Sequence, residues 1–271
     1  MMHTTLLKTD TEPAQTAFST HGVSFSVEGR MLVHPLDVAF RAGEMSALVG
    51  HNGSGKSTLL KMLARQIKPT AGTVRFDGSD IAAMPARAFA RSIAYLPQDT
   101  SAASGMTVRE LVACGRYPWH GALGRFSETD REKTEEALKL THVDSFADRM
   151  VDTLSGGERQ RVWIAMLVAQ DSRCLLLDEP TSALDIAHQI DVLSLIRQLS
   201  HSKGLSVVIV LHDINMAARF CDHIHALKAG RLIAAGDPQS LLNADTLKDI
   251  YGIDMDVTEH PVLKTPLAYV V

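Results

Sequence analysis

At 271 residues the chain has room for one compact unit with a sub-domain, which excludes both a short peptide and a large multidomain assembly. Its 45% hydrophobic and 21% charged residues exclude a disordered chain, because such chains lack the apolar residues to build a core. Lys and Arg number 27 against 31 for Asp and Glu, a net charge of −4. That balance argues against nucleic acid as the main partner, which is usually met by a basic excess or stripe.

Cys114, Cys174 and Cys221 lie far apart and form no CxxC pair, so neither a disulfide framework nor a zinc site is expected and a reducing compartment fits best. No apolar run approaches the ~18 to 20 residues of a membrane span; the longest, Val162 to Ala169 and Leu205 to Leu211, have the length of core segments. Met1 to Thr20 carries Lys8, Asp10 and Glu12 and lacks the apolar block of a secretion signal, so the chain is expected in the cytosol, reaching a membrane only through a partner.

After this polar tail, Gly22 to Val27 and Met31 to Phe40 read as β-strands, and Met45 to Val49 as a buried strand ending at a glycine. From Lys56 the apolar residues Leu59, Leu60 and Leu63 recur at helical spacing until Pro69 and Gly72 close the pattern. Val74 to Asp77 and Ser92 to Leu96 read as short strands. The character changes from about Asp99 to Asp152, where helices are expected at Val108 to Cys114 and Glu128 to Leu140 between glycines and Pro118, the pattern of a helical insert. Strands at Arg173 to Leu177, Leu205 to Leu211 and Ile224 to Leu227 then alternate with helices at Gly157 to Ala169, Ile186 to Ser200 and Ile214 to Phe220. This is the α/β rhythm of a mostly parallel sheet with crossover helices. The stretch after Tyr251, with Pro261 and Pro266, is too irregular to assign.

Gly50, His51, Asn52, Gly53, Ser54, Gly55, Lys56 and Ser57, followed by Thr58, satisfy the pattern G-x-x-x-x-G-K-[ST] between a buried strand and a helix, the context a phosphate loop requires. Glycines let successive backbone N–H groups turn toward phosphate oxygens, and the helix N-terminus adds its positive dipole end. Lys56 is the candidate bridge between β and γ phosphates, and Ser57 the candidate hydroxyl for Mg²⁺. The apolar run Cys174 to Leu177 delivers Asp178 and Glu179 at a strand's C-terminal end, where ligand sites of parallel sheets lie. Asp178 then suits a Mg²⁺ ligand and Glu179 the group that polarises an attacking water. Leu154-Ser155-Gly156-Gly157-Glu158-Arg159-Gln160 opens an apolar helix, and two accounts fit it: a γ-phosphate contact at Ser155, Gly156, Gly157 and Glu158, or a capping box of Ser155 with Glu158.

These motifs, in this order, resemble the ATP-binding subunits of ABC transporters from about Thr20 to Gly252. Leu154 to Glu158 resembles the family's signature, Gln98 its Q-loop glutamine, Ser182-Ala183-Leu184-Asp185 its D-loop, and His212 its switch histidine. The resemblance implies an ABC-type P-loop fold over residues 20–252, with a RecA-like core, an N-terminal antiparallel β subdomain and a helical subdomain inserted at about 99–155, between tails at 1–19 and 253–271. It implies ATP and Mg²⁺ as cofactors, with Ser57, Gln98 and Asp178 toward the metal and Glu179, His212, Gln98 and Lys56 as the catalytic set. It also implies a head-to-tail pair of identical chains in which Asp185 joins the two sites, since each motif occurs once. The adenine-stacking aromatic of the family falls here at about Val27, with Phe25 two residues earlier on the same strand face.

Within that family, Gly105 to Val112 and Cys114 to Trp119 have the form used near the permease by bacterial importers of iron–siderophore complexes and vitamin B12. Gly115 to Arg125, Ala165 to Asp171 and Leu211 to Ala218 are similar to the ATPase of ferric hydroxamate (ferrichrome-type) importers. The resemblance implies a peripheral subunit on the cytoplasmic face of the bacterial inner membrane, held by an integral permease and linked indirectly to a periplasmic or lipoprotein siderophore-binding protein. The aromatic run Tyr117-Pro118-Trp119 is expected to be exposed and to face that permease. The alternatives are an importer of another metal chelate or of vitamin B12, or a non-transport ABC clamp. Against the clamp stand the acidic balance and the single motif set. The scattered histidines, His201, His212, His223 and His225 among them, form no expected metal-ligand set.

Overall fold

The computed structural model describes residues 16–100, 103–121 and 124–271. Most of the polar N-terminal tail, and Ala122 and Leu123 of the importer-like segment, lie outside the described residues.

The chain opens with β1 (Thr16–Val27), β2 (Arg30–Arg41), β3 (Met45–Val49), α1 (Lys56–Leu63), β4 (Ala71–Phe76), β5 (Ser79–Asp80), α2 (Ala86–Ser92) and β6 (Ile93–Leu96). A helical region follows, α3 (Val108–Cys114), α4 (Tyr117–His120) and α5 (Glu128–Leu140). The chain returns through α6 (Gly156–Ala169), β7 (Cys174–Leu177), α7 (Ile186–Lys203), β8 (Ser206–Val210), α8 (Ile214–Phe220), β9 (His223–Lys228) and β10 (Arg231–Gly236). It ends with α9 (Pro238–Leu241), α10 (Ala244–Tyr251), β11 (Met255–Glu259) and β12 (Pro266–Val270).

The central sheet runs β10-β9-β3-β8-β7-β6, parallel except where β10 turns back on β9. A smaller antiparallel sheet runs β2-β1-β4-β5. The α/β expectation with a mostly parallel sheet is met. Every residue of β3, β7 and β8 is buried, as expected of strands covered on both faces. Their side chains alternate between two cores. Met45, Ala47, Val49, Leu175, Leu177, Val207 and Ile209 enter the cluster under α6, α7 and α8. Leu48, Leu176, Val208 and Val210 enter the cluster shared with α1 and the antiparallel sheet. A third cluster, built on Val108, Leu111, Val112, Leu138 and Val162, joins α3, α5 and α6.

Helix starts follow side-chain oxygens. Thr107, Ser127 and Ser155 cap α3, α5 and α6 with reciprocal capping boxes, and Asp185 and Asp213 cap α7 and α8. At α1 the N-cap Gly55 supplies no side-chain bond, as also at the short helices α2 and α4, so the first N–H groups of α1 stay available to a ligand.

Three sequence expectations change. The first strand begins at Thr16 and not Gly22, because Gly22 (φ +57°) marks a register shift within β1 that lets pairing continue on both sides. The unassigned C-terminal residues form an antiparallel hairpin, β11 on β12. Trp119 is half-buried and not exposed: its ring lies 4.7 Å from the guanidinium of Arg91 and 4.9 Å from that of Arg116, and its Nε1 donates to Gln170 O at 2.7 Å. Only Tyr117 of that run is largely exposed, at 58%. Among the described residues no helix is long and apolar enough to cross a membrane.

Candidate nucleotide site

Because β3, β7 and β8 are parallel, their C-terminal ends bring three loops to one edge of the sheet. After β3 the chain turns at Gly50, whose φ of +136° suits only glycine; a Cβ there would stand 2.1 Å from Leu227 O. The loop then wraps on the N-terminus of α1. A cavity of about 400 Å³ opens above it, lined by residues 52–58 together with Leu32, Gln98, Glu179 and His212.

Lys56 is 4% exposed and bonds through Nζ to Gly50 O at 2.7 Å and His51 O at 2.8 Å. Burial pulls its pKa below the usual lysine value, opposed by the Glu179 and Asp178 carboxylates. Asp178 is 1% exposed and accepts from Ser57 Oγ at 2.8 Å through Oδ1. Burial raises its pKa; the Ser57 bond, Lys61 and Lys56 oppose the rise, and Glu179 adds to it. Glu179 has a left-handed backbone, φ 51°, a conformation that costs a non-glycine residue roughly 1 to 2 kcal/mol. Its Oε1 lies 2.7 Å from His212 Nε2, and its Oε2 accepts from Gln98 Nε2 at 2.7 Å.

One chain thus brings together Asn52, Gly53, Ser54, Gly55, Lys56, Ser57, Thr58, Gln98, Asp178, Glu179 and His212. Ser155, Gly156, Gly157, Glu158, Asp185 and Val27 do not line this cavity. Ser155 Oγ accepts from Glu158 N at 3.3 Å and Glu158 Oε2 from Ser155 N at 2.8 Å, so the capping account holds. Gly157 packs so closely on α7 that a Cβ would stand 2.3 Å from the His188 ring, and that ring is held by Asp185 Oδ1 at 2.8 Å. The signature and the D-loop therefore form one surface. Phe25 packs against the second core and Val27 is 45% exposed. Sequence reasoning missed Leu32, which reaches the cavity from β2 with no local signal. His51 turns its ring to the carbonyl of Tyr251.

A larger cavity of about 520 Å³ lies at the opposite ends of β7 and β8. Its charged groups are matched within the chain, Arg173 by Asp77 and Lys203 by Glu136, and no phosphate loop borders it.

Residues 33–182 match the ABC transporter family. The chain belongs to that family. It is an ATP-binding, ATP-hydrolysing transport subunit of the ABC type. Over 251 residues it is 42% identical to the probable siderophore transport system ATP-binding protein YusV of Bacillus subtilis (strain 168), covering 93% of this chain and 91% of that protein. It is 43% identical to the ferric enterobactin transport ATP-binding protein FepC of Escherichia coli (strain K12), covering 86% of each chain. With the iron(3+)-hydroxamate import ATP-binding protein FhuC of B. subtilis it shares 39% identity over 93% of each. Among solved structures, an inward-facing transporter described as of the metal-chelate ABC type superposes with a TM-score of 0.82 at 26% identity, covering 95% of this chain and 98% of that one. The dimeric ABC cassette MJ0796 superposes with a TM-score of 0.69 at 28% identity, covering 81% and 98%.

Proposed function

We propose that this ABC subunit energises import of iron(III)–siderophore complexes through a membrane permease, with hydroxamates of the ferrichrome type as cargo. The observation that carries the hydrolytic half is the Glu179 carboxylate, held by Gln98 and His212 over the loop that contains Lys56. The cargo is supported by relatives named for siderophore transport and by the hydroxamate-importer-like segments.

The loop N–H groups and Lys56 bind the β and γ phosphates. Glu179 accepts a proton from the attacking water as its oxygen bonds to the γ phosphorus and the bond to the β–γ bridging oxygen breaks, yielding ADP and phosphate. His212 orients the Glu179 carboxylate from one side and Gln98 from the other. The oxygen donors Ser57 Oγ and Asp178 Oδ1, 2.8 Å apart, with the amide oxygen of Gln98, suit Mg²⁺, which takes hard oxygen ligands. When bound, Mg²⁺ neutralises charge on the phosphate oxygens.

Ser155, Gly156 and Asp185 are exposed away from their own phosphate loop, so a second copy, docked head to tail, supplies them across the nucleotide. The dimeric relative MJ0796 supports that pairing. The permease docks on the helical region, where Tyr117 and Phe126 are 58% and 43% exposed, and holds the subunit at the cytoplasmic face of the inner membrane.

Growth of a strain lacking the gene, on single iron sources, tests the proposal. Wild type and not Glu179→Gln restores growth on ferrichrome. Rescue confined to a catecholate or carboxylate siderophore would retain the importer and move the cargo, and no rescue on any iron chelate would overturn iron transport.

A further inference from the structure

The C-terminal residues connect the two loops that face each other across the nucleotide cavity. On the phosphate-loop side, His51 Nε2 donates to Tyr251 O at 2.8 Å at the end of α10, and its ring meets the Tyr251 ring edge-on with centroids 5.6 Å apart. On the switch side, α8 starts one residue after Asp213, next to His212. There Asn215 Nδ2 donates to Ala268 O at 2.9 Å and Oδ1 accepts from Ala268 N at 2.7 Å, a two-bond clamp on β12. Tyr251, Met255 and Ala268 pack on the same core cluster as Ile214 and Ala217 of α8, which makes the link between the ends stiff. The Tyr251 hydroxyl is buried with no partner among the described residues; burial, then the nearby Asp213 carboxylate, push its pKa up to about 12.

We propose that the segment from α10 to β12 is a strut that sets the spacing between the phosphate loop and His212, with His51 and Asn215 as its positioning residues. Phosphoryl transfer depends on that spacing, because displacement of a catalytic group by an ångström is enough to lower turnover strongly. A C-terminal segment that merely covered apolar surface would need neither the paired hydrogen bonds from β12 to the helix that follows His212 nor the bond from the end of α10 to the phosphate loop. The proposal rests on the reading of His212 and Glu179 given above.

The test is steady-state ATP hydrolysis by the purified full-length chain, with kcat, KM for ATP and Tm measured for each variant. Asn215→Leu lowers kcat about tenfold while KM stays within about twofold. Asn215→Asp, nearly isosteric and still an acceptor, falls between that variant and wild type, and decides the matter if the leucine variant fails to fold. His51→Leu raises KM about tenfold, and His51→Gln, which keeps a donor at similar reach, restores most of it. Asn215 variants that lose only Tm, with wild-type kcat, would overturn the strut; a His51→Gln protein no better than His51→Leu would remove His51 from it. His212→Ala separates the two levels: full turnover in that variant sinks the underlying site reading, whereas lost turnover beside normal Asn215 variants sinks the strut alone.

Discussion

His212 Nε2 and Glu179 Oε1 lie 2.7 Å apart, while the second carboxylate oxygen of Glu179 accepts from Gln98. A carboxylate bonded from two sides, on a left-handed backbone, has its orientation set before nucleotide arrives. Glu179→Gln keeps the shape and removes the proton acceptor, so phosphate release falls on the order of 10² or more while ATP binding persists. Initial-rate phosphate assays beside equilibrium nucleotide binding check both halves, and turnover within a few-fold of wild type counts against Glu179 as the base.

Gly50→Ala tests the phosphate loop without touching a charged group. The added Cβ would meet Leu227 O at 2.1 Å in a backbone conformation alanine avoids. The loop must shift, and affinity for a non-hydrolysable ATP analogue drops at least about tenfold. Unchanged affinity would mean that the turn is not needed in this shape.

Acid stability should report on His225. It is 4% exposed and packed against the ring of Phe40 at 4.7 Å and that of His223 at 5.7 Å, with neither ring nitrogen hydrogen-bonded among the described residues. Burial, then His223 and Arg41, lower its pKa to about 4. The unfolded chain takes up the proton near the ordinary value of about 6.5 and the folded one only near 4, so stability is full above that window and is lost as pH falls through it, by about 3 kcal/mol. Denaturant unfolding at pH 7 and pH 5 should show about 2 kcal/mol of that loss, the rest following below pH 5, and His225→Leu should flatten it.

The clasp around Trp119 gives a further prediction. Its indole is stacked between Arg91 and Arg116, and Arg116 also forms a buried ion pair with Asp130 at 2.9 Å. Trp119→Ala removes two cation–π contacts and one hydrogen bond, about 2 to 3 kcal/mol in all. Arg116→Ala also leaves Asp130 buried without its partner and costs about 3 to 5 kcal/mol. Thermal melts should rank the variants in that order, with Arg116→Ala the less stable.

The phosphate-loop pattern and the paired carboxylates could be read from the residues themselves, because each depends on short spacing at one strand-to-loop junction, whereas Gln98 and His212 were named only through the family resemblance. Helices α3, α5 and α8 fall at the residues read as helical in the sequence. What was not legible depends on distant parts of the chain. Leu32 enters the cavity because β2 passes over α1, and Trp119 is covered because Arg91 and Gln170 reach it from α2 and the end of α6. The hairpin after Tyr251 has two five-residue strands with Pro261 in its turn and Pro266 opening β12, and it packs on the core cluster that includes α8, so its periodicity was too weak to read. Gly22 looked like a boundary and is a bulge, since a glycine signals a change of direction without saying whether pairing resumes.

Lys56 already holds two carbonyl oxygens of its own loop, Gly50 O and His51 O. Two of the three N–H donors of this ammonium are thus engaged within the loop, which leaves one to meet a phosphate oxygen without giving up either carbonyl. The same arrangement sets a steric limit. Two carbonyls this close suit a compact, rotatable donor, and a planar guanidinium of equal charge would not fit between them without opening the loop.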